Sequence, residues 1–96
     1  MTDQPSRTSV IVTALGVDRH GLLAAVATTI AECDANVDDV SQTVTGDMFT
    51  MIMFVSFAGG ATSLAALQGA LAATGERVGL QITVQHEDIF RFMHRI

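Results

Sequence analysis

The stretch MFTMIMFVSF, Met48 to Phe57, decides how the chain folds. Alternation along a strand sends Phe49, Met51, Met53 and Val55 to one side and Met48, Ile52 and Phe54 to the other. Both sides are apolar, so this strand belongs in the interior of a sheet. One earlier segment reads the same way: in SVIVTAL, Ser9 to Leu15, Val10, Val12 and Ala14 oppose Ile11 and Leu15. Two further runs keep one wet side and suit sheet edges. They are VDDVSQTVT, Val37 to Thr45, joined to the central run by a Gly46-Asp47 turn, and LQITVQH, Leu80 to His86.

Helical spacing fills the gaps between these strands. Leu22, Leu23, Val26, Ala27 and Ile30 share one stripe of GLLAAVATTIAEC, which Asp34, Ala35 and Asn36 terminate. Thr62 or Ser63 caps a second helix carrying Leu64, Leu67 and Leu71, with Gly75 as its stop. The ending EDIFRFMHRI spaces Ile89, Phe90, Met93 and Ile96 as a short C-terminal helix. The order is β-α-β-β-α-β plus that tail. Two right-handed β-α-β units of this kind give an α+β sandwich, ferredoxin-like. A four-stranded antiparallel sheet carries two helices on one face, with the first and third strands at its centre.

Ninety-six residues, 49% of them hydrophobic, make one domain and leave no room for a second. Residues 1–8 read as a disordered leader and 9–96 as the single domain. The polar N-terminus lacks a secretory pattern and no apolar run is long enough for a bilayer, so a soluble, cytoplasmic protein is expected. Net charge is −5, and the five arginines are scattered, which argues against direct nucleic-acid binding. The single Cys33 excludes an intramolecular disulfide and reads as filler at a helix end.

The segment Gly16-Val17-Asp18-Arg19-His20-Gly21 is the main functional candidate. Gly16 and Gly21 permit a sharp turn that leaves amide N–H groups uncovered, and the helix after it brings its positive dipole end. A small carboxylate or other anion suits such a place, with Arg19 adding a charge-assisted contact. Asp18 either holds an ammonium group or caps the helix. A plain capped turn accounts for the same residues without any ligand.

GVDRHGLLAAVATTIAECDANVDDVSQT resembles the opening of ACT domains, roughly G-x-D-R-x-G-L, a helix, then a turn into N-[VI]. The run DVSQTVTGDMFTMIMFVSF and the ending QHEDIFRFMHRI are similar to a subgroup of small stand-alone ACT proteins related to the glycine cleavage repressor. The likeness covers Ser9 to Ile96. It implies a regulatory, ligand-sensing role with no attached catalytic domain. It also implies a free amino acid enclosed between the loop of one subunit and the turn before the second strand of its neighbour. Carried over by position, the candidates are Gly16, Asp18, Arg19, His20 and Gly21, with Leu22 behind them and Asn36 from the partner side. Many relatives carry proline where this chain has His20.

Other constellations are weaker. His86, Glu87, Asp88 and His94 have poor ligand spacing, and their charges suit the two ends of a helix, so no metal and no cofactor is expected. No nucleophile–base pairing, P-loop or dinucleotide fingerprint is present, so the chain is not read as an enzyme. The doubly apolar central strand leaves a bare patch on the side away from the helices. That predicts a homodimer, by face or edge pairing, unless the tail from Glu87 to Ile96 folds back across it. The leading expectation is therefore a regulatory module that senses an amino-acid-like ligand at a dimer interface. The alternative is a ligand-free module that docks on a regulated partner protein through its open face and tail. A link to transcription would then run through that partner.

Overall fold

A computed structural model of the chain describes residues 7–93. The elements are β1 (Arg7–Val17), α1 (Leu22–Glu32), β2 (Asn36–Thr45), β3 (Met48–Ala58), α2 (Leu64–Val78), β4 (Leu80–His86) and α3 (Glu87–Met93). The strands lie in the order β2-β3-β1-β4, and all three neighbouring pairs are antiparallel. This is the ferredoxin-like arrangement expected, with the two doubly apolar strands central and the two half-wet strands at the edges.

One face of the sheet is sealed by α1 and α2. Val10, Val12, Met51, Met53 and Val55 form its floor, and Val26, Ile30, Leu67 and Leu71 close it from above, all of them buried. Apolar area removed from water here is the main stabilising contribution. The two helices also share a polar contact inside this layer, where the hydroxyls of Thr29 and Thr74 lie 2.6 Å apart. Thr29 Oγ1 donates to the Ala25 carbonyl at 2.9 Å, so its single hydrogen is used and Thr74 must be the donor between the pair.

The other face carries α3. Gln85 Nε2 lies 3.7 Å from Met93 Sδ, and Gln85 stands opposite Ile11 on that face. Ile11 is only 1% exposed although it lies outside the core beneath α1 and α2. The tail therefore does fold back, over one end of the open face. The other end stays bare, and Leu15 there is 44% exposed.

Several details differ from the sequence reading. β1 takes in Arg7 and Thr8, assigned above to the leader, because β3 is long enough to pair with them at Ala58 and Phe57. Gly75 does not stop α2. The helix runs on to Val78, where Gly79 at φ 80° returns its N–H to the Gly75 carbonyl at 2.8 Å. Asp38, finally, sits at a bulge: pairing jumps from Val37 to Asp39, which leaves Asp38 without a cross-strand partner.

Candidate functional site

β1 ends beside the hairpin that joins β2 to β3, with Val17 paired to Met48. The chain then leaves the sheet, and the Asp18 amide donates to the Asp47 carbonyl at 2.8 Å, pinning the loop to the hairpin turn. Gly21 precedes α1 at φ 83°, where an L side chain is strained, although nothing lies within 4 Å of an added Cβ. Its glycine is thus explained by backbone conformation. Among the described residues no side chain caps α1, and no acidic residue stands in its first turn. The amides that begin this helix have no intrahelical acceptor, and the dipole adds positive potential at the same point. At α2, by contrast, Ser63 Oγ accepts from the Ala66 amide at 3.1 Å.

Asp18, Arg19 and His20 are all exposed. Among the described residues, none of the three makes a side-chain hydrogen bond or ion pair, so Arg19 is free to meet an anion at the helix start. Leu22 differs. Its side chain, 2% exposed, belongs to the core and leaves only the backbone amide for a ligand. Gly16 is not part of the turn at all; it is a β1 residue between Phe49 and Leu80. An added Cβ there would lie 2.6 Å from the Gly79 carbonyl oxygen, so the glycine is required by close packing.

Asn36 is far from this loop within one chain. Gly16 pairs with Phe49 and Asn36 with Ser56, seven residues along β3. At about 3.3 Å per residue that is roughly 23 Å, so the two cannot line one site without a second chain. The Asn36 side chain donates to Asp38 Oδ1 at 2.6 Å, and both are exposed.

Two features were missed in the sequence. Asp47 borders the loop, a contact that depends on the β2–β3 register. The open face also holds a shallow depression of about 360 Å³ lined by Thr13, Ala14, Leu15, Thr50, Gln81 and Thr83. The alternating polar positions of LQITVQH were its only signal. Among the described residues no group of three metal-ligating side chains gathers. His86 Nδ1 accepts from the Asp88 amide at 3.2 Å, and Glu87 pairs with Arg91 at 2.6 Å. His94, the fourth member of that set, lies outside the described residues. No helix among the described residues is long and apolar enough to cross a membrane.

Residues 8–85 match the family model of the ACT domain. A UPF0237 protein of Methanopyrus kandleri is 42% identical over 89 residues, covering 93% of this chain and 99% of the relative. Among solved structures, an ACT domain protein from Streptococcus pneumoniae superposes with a TM-score of 0.75 at 34% identity, over 86% of this chain and 93% of that one. A putative glycine cleavage system transcriptional repressor shares the fold at a TM-score of 0.73 and 22% identity, over 82% of this chain and 45% of its own. ACT domains are, in general, regulatory ligand-binding modules. The chain therefore belongs to the ACT domain family, with the UPF0237 proteins among its relatives.

Proposed function

We propose that this protein senses a free amino acid, held between the loop at residues 18–21 of one chain and Asn36 of a second. The observation that carries the reading is the uncapped start of α1, flanked by unpaired Arg19 on a loop that Asp47 fixes. Exposed amides and a guanidinium suit a carboxylate, while Asp18 and Asp47 bring opposite charge for an ammonium group. A zwitterion uses both, which favours an amino acid over a simple anion.

An edge-to-edge dimer supplies Asn36. β2 is an edge strand and is exposed along nearly its whole length. Antiparallel pairing of β2 with its own copy across a two-fold axis brings Asn36 to the Thr45 end of the partner, beside the partner's loop. Val40 and Val44 are exposed on this edge, and the outer side of α1 there is Ala24, Thr28 and Ala31, small and uncharged. Such a site has no catalytic pair and serves regulation, with the signal passed to a partner protein.

Thermal-shift and calorimetric titration against the common amino acids test the proposal. Ligand at a hundred times its Kd stabilises the bound state by about 2.7 kcal/mol. For a domain of this size that raises Tm by on the order of 10 °C. A folded, self-associated protein that gives neither heat nor a shift with any of them contradicts it.

A further inference from the structure

On the face away from α1 and α2, the strands carry Arg7, Asp39 and, at the β2 bulge, Asp38, which accepts from Asn36; all three lie toward the end that α3 covers. Arg7 is occupied there, donating to Ser56 Oγ at 3.0 Å. The strand side chains of the bare end are uncharged, with Asp18 and Asp47 at its rim, and Leu15, Val17 and Met48 stand exposed on it. On α3, the side chains of Ile89, Phe92 and Met93 are exposed too, and Phe92 is 72% so. Most of the large exposed apolar side chains thus fall on one side of the molecule, half on a raised helix and half on an empty floor.

We infer that this side is a second self-association surface, distinct from the β2 edge. The α3 of one copy sits on the bare end of another, across a two-fold axis that lies between the sheets and perpendicular to their strands. That axis reverses strand direction but keeps the β1–β4 side in place, so each α3 lies over its partner's Thr13, Leu15, Gln81 and Thr83. Phe92 is the knob and the depression on the floor is the hole.

Apolar area selects a second copy as the occupant. Chains of net charge −5 repel one another. The strand floor of the bare end adds nothing to that repulsion and Glu87 and Arg91 of α3 neutralise each other, so the contact has only to keep Asp88 and the rim acids Asp18 and Asp47 in solvent. Six exposed apolar side chains, each with on the order of 100 Å² in the open, supply most of the ~800 Å² per partner that a stable interface buries.

The test is the mass of the assembly by native mass spectrometry and light scattering, with circular dichroism to confirm folding. Leu15→Lys and Phe92→Asp change exposed residues and leave the monomer core intact; Val40→Lys disrupts the β2 edge separately. The expected wild type is a tetramer. Leu15→Lys and Phe92→Asp each halve its mass, and Val40→Lys leaves a dimer that Leu15→Lys then splits. A wild-type dimer that Leu15→Lys turns into monomers upholds this surface and removes the edge contact. A monomeric wild type, or a mass unchanged by both Leu15→Lys and Phe92→Asp, overturns the inference whatever Val40→Lys does.

Discussion

Gly69 and Gly75 both sit inside α2, and only one of them has to be glycine. An added Cβ at Gly69 meets nothing within 4 Å, whereas at Gly75 it would stand 2.5 Å from the Leu80 carbonyl oxygen. Helix propensity alone favours alanine at either position by roughly 1 kcal/mol. Gly69→Ala should therefore stabilise the protein by about that amount. Gly75→Ala should destabilise it by about 1–3 kcal/mol, because the obstacle is backbone that cannot rotate away. Urea unfolding of the two variants checks the opposite signs. The same close approach explains Gly16 and shows why the loop was only partly legible in sequence. A glycine needed for a turn, one needed for a packing contact and one that stops a helix look alike until the neighbouring chain is in place. Gly21 was read correctly as a turn residue; Gly16 and Gly75 were not.

Strand faces were the most legible part of the chain, because a face that is apolar on both sides has few places to go. Met48 to Phe57 and Ser9 to Leu15 settled the sheet order, and the wet faces of β2 and β4 settled its edges. The position of α3 was not legible: of the apolar positions expected to dock it, Ile89 and Met93 stand exposed and Phe90 is half-buried, and nothing in their spacing shows that the helix covers Ile11 and leaves Leu15 bare. Nor did the sequence reveal the Thr29–Thr74 contact between α1 and α2, since each residue alone is ordinary in a helix. That contact makes an asymmetric prediction. Thr29→Val strands the Thr74 hydroxyl, whose acceptor is lost, and should cost about 1–3 kcal/mol. Thr74→Val should cost less, because Thr29 still donates to the Ala25 carbonyl. The double variant should be less destabilised than Thr29→Val alone. A double-mutant cycle from denaturant midpoints measures this, and additive costs would refute the assigned donor.

For the molecule as a whole, the candidate site divides into two halves that one chain keeps apart. The helix start with Arg19 lies at one end of the sheet and Asn36 at the other, about 23 Å away along β3. Both halves were named from the sequence, but their separation needed the strand register. If the site joins two chains, each homodimer has two identical copies, and damage to either half abolishes both. Arg19→Ala and Asn36→Ala homodimers should then each bind poorly. In a mixed dimer of the two variants, one site carries both lesions while the other combines an intact loop with an intact Asn36. Calorimetry on the co-refolded mixture, with the amino acid that binds the wild type, is the most direct measurement. Recovery of wild-type affinity at about one site per mixed dimer is the predicted result; a mixture that binds no better than the two variants measured separately would contradict it.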